Sequence, residues 1–380
     1  MGKEKIQSRI WLSPPHLGGQ ENNYIQTALQ SNWVAPAGPQ IGQFESSIQN
    51  FIGGKKKAVA LNSGTAAIHL ALVLAGVEAG DEVICQSLTF CASVNPVLYL
   101  GAHPIFVDSE PETWNLCPVM LKQAIEDRLA HGKRPKAIIA VHLYGMPYQV
   151  DEVHAVASEF NIPVIEDAAE ALGSTYKQQS CGSLGNFAIF SFNGNKIITT
   201  GGGGILICAT SVEKKWAQFL ATQAKDEAPH FEHSQLGYNY RMSNIAAAIG
   251  CGQVQVLDAR IEKRREINAW YRGVFKDLGG DVTFQDEPDT YYMSNYWLTA
   301  VQLPLPVRNA IVNAFAKANI ESRPVWKPMH LQPLYKNAPF YGEKTAEKLF
   351  FKGLCLPSGT NMNEEDLNRI QVTLQSALNH

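Results

Sequence analysis

The run "FSFNGNKIITTGGGG" (190–204) sets one lysine, Lys196, between Ser191 and four consecutive glycines. A lone amine beside backbone that can approach a ligand closely suits carbonyl chemistry. Deprotonated, it condenses with an aldehyde, and lysine gives up its proton readily when desolvated or placed beside another cation. Two other stretches offer partners. "VIEDAAEALG" (164–173) ends an apolar run in Glu166 and Asp167, and α/β sheets present ligands at the carboxyl ends of their strands. "NSGTAAIHL" (62–70) puts Ser63, Gly64 and Thr65 where a strand turns into a helix, so hydroxyls and free amides converge at the positive end of the helix dipole. Each has a plain alternative when taken alone: Ser63 is an ordinary N-cap, and the carboxylates are a helix cap or surface acids.

Nucleotide loops do not account for the glycines. "GGGGIL" lacks the last glycine of GxGxxG and precedes a strand, and Ile197 follows the lysine where a Walker loop needs Ser or Thr. The ordered set of phosphate cup, aromatic Phe90, acid Asp167, Ser191 and amine Lys196 has one economical explanation, pyridoxal 5'-phosphate. That cofactor needs a phosphate site, a ring platform, an acid on its pyridine nitrogen and an amine for its aldehyde.

Such groups must be held by a rigid frame. Short β-rich apolar runs, "KAVALN" (57–62), "DEVICQ" (81–86), "PIFVD" (104–108), "KAIIAVHLYG" (136–145) and "IPVIEDAA" (162–169), alternate with helical stretches, among them "CASVNPVLYLGA" and "VMLKQAIEDRLA". The alternation predicts an α/β domain with a buried, mostly parallel sheet. Residues 224–241 read as a polar and aromatic loop, and a long helical pattern runs from about Ser243 through "RREINAWYRGVF", with the basic "RIEKRRE" as a solvated face. Beyond Gly279 and Gly280 a smaller unit begins. The organisation is a large domain over 1–255 and a small C-terminal α/β domain over 256–380, with the boundary between 255 and 280.

At 380 residues, 45% hydrophobic and 18% charged, with a formal net charge of −3, the chain lacks the basic excess of a nucleic-acid binder. Seven scattered cysteines, an odd number without a CxxC pair, read as reduced thiols and no metal site. The start has no apolar signal core, Ile6 stands where a myristoylation signal needs Ser or Thr, and the apolar run 66–76 is too short to span a bilayer. A cytoplasmic protein with no nucleic-acid or membrane partner is expected.

Nearly end to end, the chain resembles the DegT/DnrJ/EryC1/StrS family of pyridoxal-phosphate nucleotide-sugar aminotransferases, within the aspartate aminotransferase-like (type I) fold. The resemblance is carried by "GPQIGQFE" (38–45), "LNSGTAAIHLAL" (61–72), "TFCASVNPVLYLGAHPIFVD" (89–108), "HLYG" (142–145), "IEDAAEALG" (165–173), "FSFNGNKIITTGGGG" (190–204), "LGYNYRMSNIAAAIG" (236–250) and "ESRPVWKPMHLQP" (321–333). It implies that Lys196 bonds the cofactor aldehyde, Asp167 pairs with the pyridinium and Phe90 stacks on the ring. By the same resemblance Gly64, Thr65 and Ser191 hold the phosphate, beside the Ser63 already placed at that turn, and Asn239 reaches it from the other subunit of a homodimer with shared sites. Arg323, Lys327 and His330 fall where the nucleotide-sugar end is expected, with plain surface charge as the alternative for each.

The reaction so implied moves an amino group from L-glutamate, through the pyridoxamine form, to the C4 ketone of an NDP-4-keto-6-deoxyhexose. C3 amination is the nearest alternative, and a non-catalytic cofactor-binding regulator is a third reading. One departure stands out. Position 170, often Gln or His in this family, is Glu170, which adds a negative charge near the ring. It marks either a substrate subgroup, such as enzymes making 4-amino-6-deoxy-N-acetyl sugars on UDP, or a salt-bridged acid. Histidine in place of the lysine marks relatives that dehydrate instead, and Lys196 argues against that chemistry.

Overall fold

The computed structural model describes residues 8–279 and 281–378; the sequence readings at Ile6 and Gly280 lie outside the described residues. The β-rich runs form one eight-stranded sheet. Its spatial order is Lys57–Leu61, Gly204–Cys208, Phe187–Ser191, Val164–Asp167, Ala137–Val141, Glu82–Gln86, His103–Val107, Phe340–Tyr341. Neighbours run parallel from Phe187–Ser191 to Phe340–Tyr341, while Gly204–Cys208 lies antiparallel between its two partners.

The central strands read as unbroken apolar runs because both of their faces are covered. In Ala137–Val141, Ile138 and Ala140 join one hydrophobic cluster, and Ala137 and Ile139 join another on the opposite face. The helix Gly64–Leu74 is buried around nearly its whole girth, which explains its lack of a polar face. Its entry is fixed by Ser63, whose extended backbone lets the side-chain oxygen accept from the Ala66 N–H.

A second, four-stranded antiparallel sheet orders Thr283–Phe284, Thr299–Gln302, Gly353–Leu356 and Arg323–Pro324. Residues of the helices Leu257–Asp277, Leu305–Lys317 and Glu364–Leu378 close on it around a core that includes Tyr271, Phe275, Phe315 and Leu374. Phe315 is fully buried, so its truncation to Ala would cost about 3–5 kcal/mol.

Three local readings change. The long helix expected from Ser243 is two, Asn244–Val254 and Leu257–Asp277, broken after a stretch containing Gly250 and Gly252, residues of low helix propensity. Gly252 packs so closely on the neighbouring helix that a Cβ would lie 2.7 Å from the Glu21 nitrogen. "CASVNPVLYLGA" forms only a 3-10 turn, Cys91–Ser93, and the short helix Asn95–Tyr99, with Pro96 at its start and Gly101 in a left-handed conformation beyond it. Finally, "RIEKRRE" is not uniformly solvated. Arg264 turns inward and is 2% exposed, because its register along the helix coincides with that of the buried Ile261, Ile267 and Asn268.

Candidate active site

Glu166 and Asp167 are successive residues of one strand and must therefore face opposite sides of the sheet. Their partners show it. Glu166 is fully buried and accepts from His142 Nε2 at 3.0 Å, from the Gly182 N–H at 2.8 Å, from the Leu184 N–H at 2.6 Å and from Gly185. Burial would raise its pKa, but the His142 contact and these amides outweigh burial and hold the carboxyl below the usual range. Asp167 turns the other way, accepting from Ser93 Oγ at 2.6 Å and from the Ala169 N–H at 3.1 Å, and lines a cavity of about 340 Å³.

The start of the Gly64 helix forms one wall of that cavity, through Ser63, Gly64 and Thr65. The Gly64 and Thr65 amides open the helix and have no intrahelical acceptor, so they are free for a ligand anion at the positive dipole end. Ser63 already uses its side chain as the cap, so the plain reading of that residue holds alongside its place on the wall. Gly204 lets its strand pass this turn. A Cβ there would sit 2.4 Å from the Ser63 carbonyl. Ser191, also on the wall, follows from the strand Phe187–Ser191.

Lys196 enters from the turn beyond Ser191, held by its own N–H donating to the Asn193 carbonyl at 3.0 Å. Nζ lies 3.4 Å from Glu170 Oε1 and 4.1 Å from the centroid of the Trp297 ring. Glu170 Oε2 accepts from the Tyr144 N–H at 2.7 Å, in a turn where Tyr144 adopts φ 56°. Burial pushes the Glu170 carboxyl up, opposed by the Lys196 charge and the Tyr144 amide and reinforced by Asp167. Phe90 completes the cavity with a ring 53% exposed and 5.6 Å from that of Trp326.

The remaining sequence candidates sit apart from this cluster. Arg323 is exposed, ion-paired with Glu321 at 2.8 Å, and lines a neighbouring cavity of about 610 Å³ that shares Asn195, Trp297 and Trp326 with the first. Lys327 is exposed beside it in sequence. His330 is turned into packing: its Nδ1 lies 2.6 Å from Ser87 Oγ and its ring stacks on Phe340 at 3.8 Å. Asn239 is exposed on the 224–241 loop, where its side-chain oxygen accepts from Gln223 Nε2 at 3.1 Å.

Ser93, Trp297 and Trp326 were not singled out by sequence reasoning. Trp297 and Trp326 are far along the chain from Lys196 and Phe90, which they touch, whereas Ser93 lies three residues from Phe90 but reaches Asp167, 74 residues on. The donor set itself fits a phosphorylated pyridine aldehyde. Unpaired helix amides and hydroxyls lie at one wall, an acid at the end of a central strand, an open aromatic ring, and an amine with a buried acid beside it. Among the described residues no group of three or more His, Cys, Asp or Glu is arranged to hold a metal, and no helix is long and apolar enough to cross a membrane.

Comparison with known proteins agrees with this geometry. The profile of the DegT/DnrJ/EryC1/StrS aminotransferase family matches residues 15–375. The chain is 48% identical over 370 residues to a Bacillus subtilis protein named "Putative pyridoxal phosphate-dependent aminotransferase EpsN", covering 96% of this chain and 95% of that one. It is 38% identical to the GDP-perosamine synthase of Caulobacter vibrioides, covering 97% and 98%. Among solved structures it resembles "Putative sugar aminotransferase Spr1654" of Streptococcus pneumoniae in its PLP form, with a TM-score of 0.88, 28% identity and coverage of 98% and 99%. The PMP form of the same protein matches with the same TM-score and identity, covering 98% of each chain.

Proposed function

The chain belongs to the DegT/DnrJ/EryC1/StrS aminotransferase family, and from that premise we propose that it transfers the amino group of L-glutamate to the C4 ketone of a nucleotide-linked 4-keto-6-deoxyhexose. The protein is a type I-fold, pyridoxal-phosphate-dependent aminotransferase. Its substrate is the proposal. Support for C4 comes from relatives named GDP-perosamine synthase, perosamine being a 4-amino sugar. A UDP-linked N-acetyl sugar is one form of that substrate, if Glu170 marks a substrate subgroup rather than only the acid paired with Lys196.

Bound pyridoxal phosphate supplies an electron sink for the carbon that gains or loses the amino group. The chain's residues prepare that chemistry. The Gly64 and Thr65 amides, with Ser191, fix the phosphate end. Asp167, oriented by Ser93 and the Ala169 amide, would hold the ring nitrogen by a charge-assisted hydrogen bond. Phe90 covers a ring face. Lys196 Nζ would be the amine for the aldehyde and would carry the proton to or from the substrate carbon, and Glu170, 3.4 Å away, would keep that amine aimed into the cavity.

The second cavity, with Arg323 on its wall and three residues shared with the first, supports a path for the nucleotide end. Lys327 is exposed near Arg323, whereas His330 is held by Ser87 and Phe340. Asn239, exposed on its loop, is proposed to reach the phosphate of a second subunit in a cytoplasmic homodimer. The observation that carries the function is the convergence of Lys196, Asp167 and the Gly64 helix start on one cavity. Incubating the enzyme with glutamate and a panel of nucleotide ketosugars tests it. 2-Oxoglutarate and an aminosugar should form in equal amounts, by ping-pong kinetics. Loss of water from the ketosugar without amino transfer would refute it.

A further inference from the structure

Arg264 is among the largest fully buried side chains and has no carboxylate partner among the described residues. Such a charge is costly to bury, and an apolar side chain of the same volume would cost less. Burial lowers its pKa to about 9, and the other charge acting on it is the Arg260 cation, which pushes the same way. The fold bears this cost at a particular place.

The guanidinium donates from Nη1 to the Trp297 carbonyl at 2.5 Å and from Nη2 to Ser13 Oγ at 2.8 Å. Ser13 Oγ, accepting from Arg264 with one lone pair, donates its own proton to the Asn195 carbonyl at 2.6 Å. Trp297 Nε1 donates to the same carbonyl at 2.7 Å. The ring of contacts Arg264, Ser13, Asn195, Trp297 is therefore closed. It fixes the peptide immediately before Lys196 and the indole face over which Lys196 Nζ sits at 4.1 Å.

We propose that Arg264 is a positioning residue for Lys196, setting the amine's direction through Ser13 and Trp297 rather than by contact with any ligand. Four distant parts of the chain meet here: the Ser13 segment, the turn holding Asn195, the helix Leu257–Asp277 and Trp297, two residues before the strand Thr299–Gln302. Guanidinium suits this role because its planar fork sends two donors to two acceptors in fixed directions, which lysine cannot reproduce. The inference rests on Lys196 being the reacting amine.

The test uses the full chain in two forms. In cofactor-free protein, trace labelling with acetic anhydride and peptide mass analysis gives the reactivity of Lys196 relative to exposed lysines. Arg264→Met should raise it about two- to fivefold, the size of a lost cation–π contact. In the holoenzyme, kcat should fall by about 10²-fold, as for a reacting group displaced by about 1 Å, with KM for either substrate changed far less. Arg264→Lys should recover only part of kcat, and Ser13→Ala with Arg264→Met should lose less than the product of the single losses, since both break one chain of bonds. If Arg264→Met does not fold, Ser13→Ala decides on the same two readouts. Lower melting temperature with unchanged Lys196 labelling and unchanged kcat per folded molecule would overturn the proposal. Altered labelling in a chain whose Lys196 never bonds the cofactor would instead overturn the assignment of the amine and leave the positioning intact.

Discussion

Lys196 Nζ and Glu170 Oε1 lie 3.4 Å apart, an amine and an acid both largely withdrawn from solvent. The acid is not a surface charge that drifted near the site. Its second oxygen is tied to the Tyr144 amide, so it can neither rotate away nor be lost without freeing that turn. Of the two sequence readings of Glu170, a substrate-subgroup marker or a salt-bridged acid, this contact is the salt bridge.

Glu170→Gln keeps an oxygen for the Tyr144 amide and removes the charge beside Lys196. Turnover or sugar preference should change by about tenfold, the scale of one hydrogen bond to a charged group. The melting temperature at neutral pH should stay within about 2 °C. Because the folded carboxyl is raised, between the usual value of 4.5 and the folded value the unfolded chain has lost a proton that the fold retains. Stability is therefore lost as pH rises through that window, and the variant should lack this loss. A drop in melting temperature with unaltered kinetics would favour a purely structural acid.

Ser93→Ala tests the orientation of Asp167. The Ser93 hydroxyl is 2.6 Å from Oδ2 and nearly out of solvent. Removing a hydrogen bond to a charged acceptor costs about 1.5–3 kcal/mol, so kcat/KM should fall about 10- to 100-fold. Wild-type kcat/KM in this variant would show that the backbone alone aims the carboxylate.

Glu166 gives a stability prediction of the opposite sign to Glu170. Its folded carboxyl is held low, so its contribution is complete above the usual value of 4.5 and is lost as pH falls through the folded value. Melting temperatures measured from pH 6 down to pH 3 should fall more gently in Glu166→Gln than in wild type, from a lower start. Parallel curves would contradict the assignment.

These residues also show what the sequence made legible. Lys196, Asp167 and Gly64 lie at strand ends and turns, where local chemistry and strand-to-helix order declare a site. Strand alternation further separates Asp167 from Glu166. Trp297 and Trp326 have no such marker, since each reaches the cavity through tertiary packing of elements distant in the chain, and Ser93, though near Phe90, is marked only by its tertiary contact with Asp167. Arg264 was hidden in a charged run, because which member of such a run turns inward depends on helix register against a core that the sequence does not display. The helix break after Val254 follows Gly250 and Gly252, and the close packing of Gly252 on the Glu21–Gln30 helix is a contact that the sequence does not display.

Shared sites can be tested by complementation. Asn239 lies exposed on the loop 224–241 and does not line its own chain's cavity, although its carbonyl accepts from Asn62 Nδ2 at 3.2 Å beside the wall residue Ser63. Mixing inactive Lys196→Ala with a disruptive Asn239 variant should restore activity, since one site of the mixed dimer receives an intact lysine and an intact asparagine. Proven subunit exchange without recovery, or full activity in a monomer, would exclude sharing.

The central claim, that Lys196 is the amine that bonds the cofactor, is tested most directly by borohydride reduction of the purified holoenzyme followed by peptide mapping. The account predicts a pyridoxyl group on the peptide containing Lys196 and its absence from Lys196→Ala. A pyridoxyl group on any other lysine, or none on the yellow wild-type protein, would contradict it.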